Sequence, residues 1–482
     1  MQILIYSYNY HPEPIGIAPL MTELAEGLVK RGHQVRVITG MPNYPQRQIY
    51  DRYRGKLYVT EHKNGVKIQR SYLRIKSKPN LIDRLLLELS FIFTSLPQAL
   101  KGERPDVILL TVPPLLVCLP ATLIAWLYNC PVVLNVQDIL PEAAVRVGLI
   151  KNKLMIQALE ALEKFAYRTA HTISVIADGF VDNLINKDVP ANKIACIPNW
   201  VNLNFIRPLA KENNSWRASH QLDGKFVVLY SGNIALTQGL ETVIEAASRL
   251  RHINDIVFVV AGESQALERL QKHCLACGAD NVLLLPLQPR EKLPQMLAAA
   301  DIGLIVQKSN VISFNMPSKI PLLLASGRPI VGSVPATGTA AKAIKESGGG
   351  IIVEPESADA LASAVLNLYN QPELAAQLGR KGRKFAVKNY SFEQALDRYE
   401  EVFYDAIAKR ATTLDILPEL SSNKSLVTQD FLVHTLPIVN EKSNHIGLIK
   451  TKSRVRVVSQ GLMTNTSLRE AAPTASLSTS DK

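Results

Sequence analysis

Val107-Ile-Leu-Leu-Thr-Val-Pro-Pro-Leu-Leu-Val-Cys-Leu-Pro-Ala-Thr-Leu-Ile-Ala-Trp-Leu-Tyr-Asn-Cys-Pro-Val-Val-Leu-Asn-Val136 contains no charged residue, and how it folds decides what kind of protein this is. The run is long enough to cross a bilayer as a single helix. Pro113, Pro114, Pro120 and Pro131 argue against that, because an internal proline removes a helix hydrogen bond and clashes with the preceding turn. The ends are rich in β-branched residues, so Val107 to Thr111 and Val132 to Val136 read as strands with a helix between them. A strand covered on both faces of a parallel sheet is apolar throughout, which accounts for the composition without a membrane.

Working outward, the same alternation recurs. Strand-like runs at Gln2 to Tyr6, Gln34 to Thr39 and His171 to Val175 are separated by helical patterns such as Ala18 to Arg31. After a polar break at Leu203 to Gly224 a second series follows: Phe226 to Tyr230, Ile256 to Ala261, Val282 to Leu285, Ile302 to Val306, Ile330 to Val334 and Ile351 to Val353. Strand and helix in alternation imply α/β with mostly parallel sheets, here as two successive Rossmann-like halves. We expect domains at 1–203 and 204–390, a closing helix over 391–410, and a low-order, disordered C-terminal tail over 411–482, where Ser, Thr, Asn and Pro accumulate. Within the tail, the basic and apolar stretch Lys450 to Val458 reads as a membrane contact or a strand.

A chain of 482 residues that is 47% hydrophobic and 20% charged is globular and large enough for two cores. Five scattered cysteines argue against a disulfide framework. The amino terminus enters strand-like residues directly, without the basic flank and apolar core of a secretory signal, so a cytoplasmic protein is expected. The net charge of +12 is concentrated: Lys30 to Lys78 holds thirteen basic residues against Asp51 and Glu61. Directly after it Leu81 to Leu96 is rich in large apolar side chains. Basic charge beside an apolar helix suits an anionic membrane surface, and no nucleic-acid motif accompanies it.

In open α/β sheets ligands bind beyond the carboxyl ends of the strands. Three loops there lead into helices: Tyr8 to Ile17 with Gly16, Ser231-Gly-Asn233 with Gln238 and Gly239, and Asn315-Met-Pro-Ser-Lys319. A phosphate or diphosphate would suit the last, through Ser318, free backbone N–H groups and the Lys319 ammonium. None is a dinucleotide fingerprint or a P-loop, which argues against dehydrogenase and ATPase chemistry.

Several motifs together carry a family signature: Asn9-Tyr-His-Pro-Glu-Pro-Ile-Gly16, Pro42-Asn-Tyr-Pro45, Val136-Gln-Asp-Ile-Leu-Pro-Glu142, Ile197-Pro-Asn-Trp-Val201, the Gly232 loop, Val260-Ala-Gly-Glu263, and Pro317-Ser-Lys319 with Ala325-Ser-Gly-Arg-Pro329. In this order and spacing the chain resembles the family 4 retaining glycosyltransferases of the GT-B fold, especially the branch of colanic acid and related exopolysaccharide enzymes. The resemblance implies two Rossmann-like domains facing across a cleft, and transfer of a sugar from a nucleotide diphosphate sugar, with the anomeric configuration kept. The acceptor would be lipid-linked through a polyprenyl carrier or a growing saccharide, held by the first domain. The second would hold the donor, bound by Gly16, Asn199, Gly232, Asn233, Gln238, Gly262, Glu263, Ser318 and Lys319, with Gly232-Asn233 and Gly16 facing Ser318 and Lys319 across the cleft. No cofactor or metal is expected. Lys319 would stabilise the departing diphosphate, and Asp138 would orient or deprotonate the acceptor, or cap the turn that follows. His11, Glu13, Tyr44 and Glu142 are further acceptor-side candidates.

The chain also departs from the family pattern. Two glutamates usual in the donor domain fall at Phe314 and Leu322, a basic pair falls at Asn233 and Gln238, and an N-terminal histidine falls at Gln137. Two alternatives therefore stay open: a sugar-nucleotide epimerase on the same fold, and a non-catalytic carbohydrate or membrane adaptor.

Overall fold

The computed structural model describes residues 1–422 apart from 15, 45, 78, 140–141, 143–151 and 312–315. The uncharged run is a strand-helix-strand unit, as expected. β5 (Val107–Val112) and β6 (Val132–Val136) pair in parallel, and the helix Cys118–Tyr128 joins them. Among the described residues no helix is long and apolar enough to cross a membrane.

The first lobe is an eight-stranded sheet. In chain order its other strands are β1 (Gln2–Tyr6), β2 (Gln34–Gly40), β3 (Tyr58–Lys63), β4 (Val66–Ser71), β7 (Thr172–Val175) and β8 (Ile194–Cys196), in the spatial order β3-β4-β2-β1-β5-β6-β7-β8. All neighbours are parallel except β3 and β4. The period of two along β1 sends Leu4 and Tyr6 into one apolar layer and Ile3 and Ile5 into the other, so the sheet is covered on both faces. The second lobe is a six-stranded parallel sheet of β9 (Phe226–Ser231), β10 (Ile256–Gly262), β11 (Val282–Pro286), β12 (Ile302–Val306), β13 (Ile330–Ser333) and β14 (Gly350–Val353), in the order β11-β10-β9-β12-β13-β14. In each lobe the spatial order reverses beside the first strand, which marks a switch point for ligand binding.

Three features differ from the sequence reading. The β3–β4 hairpin was not anticipated, because β3 alternates polar and half-buried residues at a sheet edge. Its signal is Asn64-Gly65, both at positive φ in a tight turn. The closing helix spans Phe392–Ser422, running past residue 410, and it packs on the first lobe: Leu396, Tyr399 and Phe403 share a core with Ile5 and Met21. The expectations for residues 423–482, including Lys450 to Val458, lie outside the described residues. Finally, the basic stretch is partly internal. Arg36 is buried and donates to the Gln98, Ala99, Lys101 and Glu103 carbonyls. Arg70 is buried against Glu61, and Arg31 pairs with Glu393, Asp397 and Glu400 of the closing helix. Less of the charge faces solvent than the count of thirteen implies.

Two ion pairs join the lobes, Arg290 to Glu23 at 3.2 Å and Lys342 to Asp178 at 2.7 Å. Both are substantially exposed, and such pairs contribute only about 0–1 kcal/mol each. Met316, just ahead of Lys319, packs against the cores of both lobes.

Candidate active site

In the second lobe, β9 ends at Ser231 and the chain turns at Gly232, whose φ is 125°. A Cβ added there would lie 2.7 Å from Lys319 Cε, so glycine at this position makes room for the lysine. Lys319 opens the helix Lys319–Ala325, and Gly327 ends that turn at φ 71°. The Lys319 ammonium donates to Tyr230 Oη at 2.7 Å and to the Asn233 carbonyl at 3.4 Å, and lies 4.1 Å from the Tyr230 ring centroid. Among the described residues no carboxylate lies within ion-pair distance of it. Burial with only neutral partners lowers its pKa from 10.5 to about 8. A desolvated ammonium without a counter-ion is a ready receptor for an anion.

Tyr230 organises the loop that faces this lysine. Its hydroxyl meets the Asn233 carbonyl at 2.7 Å and contacts Gln238 Oε1, which also accepts from the Ala235 amide. Gln238 therefore holds the loop's shape, while the Asn233 side chain is exposed. Tyr230 escaped the sequence reading because an aromatic in a buried strand looks like core. Lys308 was also missed; its stem lies against Gly239, with Cγ 3.1 Å from an added Cβ, and its amide donates to the Thr237 carbonyl. Ser318 is exposed at the helix start and makes no side-chain cap. Gly262 admits Ile234, whose Cδ1 would lie 2.1 Å from a Cβ there, and exposed Glu263 precedes the helix Ser264–Cys277. Leu322 lies on the lysine helix, and Phe314 is outside the described residues.

In the first lobe, Asp138 follows β6 and lines a small cleft with Pro113, Glu163 and Tyr167. Its carboxyl reaches solvent, yet surrounding protein displaces enough water to raise its pKa, against a hydrogen bond from the Ile139 amide. Neighbouring Gln137 exchanges two hydrogen bonds with Asn199, at 2.8 and 3.2 Å. Gly16 has φ 71° and open space where a side chain would stand.

The other carboxylates are committed elsewhere. Buried Glu13 accepts from the Asn43 and Tyr44 amides at 2.8 and 2.9 Å and from Asn9 at 2.7 Å, so it holds that loop. Glu142 pairs with Lys187 at 3.0 Å and accepts from Asn183. The His11 ring lies 2.7 Å from Lys63 Nζ, and burial with that cation lowers its pKa. Tyr44 lines a cavity of about 410 Å³ with Tyr8, Asn43 and Arg47, beyond β1, β2 and β5. Among the described residues no group of three His, Cys, Asp or Glu side chains converges as metal ligands would, and all five cysteines are free.

Two doubly wound lobes, each with its loops at a strand-order reversal, and a lysine-bearing helix beside the lobe junction define a GT-B glycosyltransferase. The chain belongs to this family: residues 16–200 match the glycosyl transferase 4-like domain and residues 212–385 match glycosyl transferases group 1. It is 32% identical over 407 residues to the Escherichia coli K12 protein named "Putative colanic acid biosynthesis glycosyl transferase WcaI", covering 83% of this chain and 98% of that protein. Its fold matches Anabaena Alr3699/HepE in complex with UDP, with a TM-score of 0.62 at 14% identity over 84% of this chain and all of that one. It also matches WaaG, a glycosyltransferase involved in lipopolysaccharide biosynthesis, with a TM-score of 0.58 at 15% identity over 82% and 98% of the two chains.

Proposed function

We propose that this glycosyltransferase moves a hexose from a nucleotide diphosphate sugar to a lipid-linked or growing saccharide during exopolysaccharide or cell-surface polysaccharide synthesis, with retention at the anomeric carbon. The observation that carries the reading is Lys319, desolvated, without a carboxylate partner among the described residues, and folded onto the Gly232-Asn233 loop. As the glycosidic bond to the diphosphate breaks, negative charge grows on the leaving oxygens, and a fixed cation there lowers the barrier. Binding the diphosphate also returns a counter-ion to the ammonium. Lys308 on the Gly239 side would supply a second cation. Asp138 acts from the first lobe on the acceptor hydroxyl, its raised pKa suiting proton transfer. The reading calls for no cofactor or metal.

The named similarities support this reading: the WcaI relative points to colanic acid-like polysaccharide synthesis, and HepE carries UDP in its complex. We place the protein at the cytoplasmic face of the plasma membrane, resting on anionic lipid. The support is the helix Leu81–Leu100, which exposes Ile82, Leu85 and Phe93 beside basic residues. Co-sedimentation with anionic but not neutral vesicles is the expected result. A thermal-shift screen of nucleotide sugars tests the donor, since a ligand that binds only the folded chain raises its melting temperature. Stabilisation by one nucleotide series, followed by a product of unchanged anomeric configuration on NMR, supports the transferase. Epimerised nucleotide sugar formed without acceptor would replace it with the isomerase.

A further inference from the structure

The 410 Å³ cavity of the first lobe is separate from the Lys319 loop, and its charge is unusual. Arg47, Lys76 and Arg84 all line it. Lys76 is partly neutralised by Asp83 at 2.9 Å, but among the described residues Arg47 and Arg84 have no carboxylate within ion-pair distance. Among the described residues Glu88 is the one carboxyl in the lining, and burial raises its pKa to about 7. The titratable and charged groups that line the cavity with it include Tyr8 from the loop after β1, Arg47 from the loop after β2, Lys76 from the segment before the helix Leu81–Leu100, and Arg84 one turn back on that helix. Two unpaired guanidiniums in a concave site, with a carboxyl that is half uncharged at pH 7, suit an oxyanion that can accept forked hydrogen bonds.

The setting narrows the ligand further. On the helix Leu81–Leu100, Arg84 and Glu88 turn into the cavity, while Ile82 and Phe93 are 66% and 72% exposed on the outer side. The neighbouring helix Cys118–Tyr128 exposes Leu119 and Leu123, and also Trp126 at the end remote from the cavity, where the Tyr128 hydroxyl donates to the Leu100 carbonyl. A cationic cavity whose lining helix exposes apolar side chains on its outer side matches an amphiphile with an anionic head. We propose that this cavity binds the phosphate or diphosphate of the acceptor through Arg47 and Arg84. The inference rests on the transferase reading for the word acceptor, while the site itself can be tested without turnover.

Calorimetry with farnesyl diphosphate, farnesol and inorganic pyrophosphate, in the same detergent, provides the test. Farnesyl diphosphate is expected to bind the wild-type chain, and the double variant Arg47→Ala/Arg84→Ala to bind it at least tenfold more weakly. Both arginines are exposed, so an unchanged melting temperature should show that the variant is folded. Lys319→Ala should leave this binding unchanged; if it abolishes binding while the arginine variant does not, the diphosphate sits in the donor loop and the proposal falls. Farnesol binding as tightly as farnesyl diphosphate would also overturn it, since no anion would then be read. Inorganic pyrophosphate binding equally well, and equally dependent on the arginines, supports the phosphate site and makes the source a non-lipid acceptor. Glu88→Gln should tighten binding at pH 8 and leave it unaltered at pH 6. Arginine-dependent binding in a chain that turns over no nucleotide sugar would keep the site and remove the transferase reading.

Discussion

Replacing Lys319 with methionine should cost activity and leave the fold at least as stable, because the ammonium is held where it is poorly solvated. The fall from 10.5 to about 8 corresponds to roughly 3 kcal/mol of charging cost, at about 1.36 kcal/mol per pKa unit. Methionine relieves that cost but loses the hydrogen bond to Tyr230 and the contact with its ring, together worth about 2 kcal/mol. The expected net change at pH 7 is a gain of about 1 kcal/mol, or roughly 2–4 °C in melting temperature for a domain of this size. The sign with pH follows from the depressed pKa: the penalty is fully present below pH 8 and is relieved as pH rises towards 10.5. The stability advantage of Lys319→Met should therefore shrink between pH 8 and 10. Turnover should fall by about 10²–10³, the usual cost of one transition-state charge contact. Urea denaturation followed by circular dichroism, alongside kcat/KM, checks both halves. A destabilisation of several kcal/mol, or an unchanged kcat/KM, would refute the reasoning.

Three further outcomes follow from the same geometry. Affinity for the donor or its nucleoside diphosphate should be constant at low pH and weaken above about pH 8, where free Lys319 loses its proton; calorimetry on Lys319→Arg should show no such fall, because arginine stays charged. Asp138→Asn should slow transfer by about 10²–10⁴ with donor affinity intact, and weakened donor affinity would reassign the residue to binding or folding. Arg36→Met leaves the carbonyls at the end of the helix Leu81–Leu100 without their buried donor, so thermal unfolding should report a loss of about 2–4 kcal/mol.

Much of the fold was legible because a doubly covered parallel strand is written as an apolar run. Gln2 to Tyr6, Val132 to Val136 and Ile302 to Val306 match the observed strands end to end. The β3–β4 edge hairpin was not, since one exposed face replaces the apolar run with polar alternation. At the site, Gly232 and Lys319 were legible as parts of one anion site from their two loops, but not their direct contact within one lobe, since the sequence reading places Gly232 across the cleft. Glu13 and Glu142 could not be sorted from Asp138 by sequence, because what distinguishes them is tertiary: one accepts the Asn43 and Tyr44 amides and the other pairs with Lys187. The same holds for Arg36 and Arg70, whose charge is consumed inside the lobe.

The central claim is that Lys319 stabilises the nucleoside diphosphate leaving a sugar donor. Its most direct test is the initial rate of nucleoside diphosphate release from the stabilising nucleotide sugar, with a membrane-lipid extract as acceptor, in wild type and in folded Lys319→Ala. The account predicts release by the wild type and a loss of about 10²–10³ in the variant; release by Lys319→Ala at the wild-type rate would contradict it.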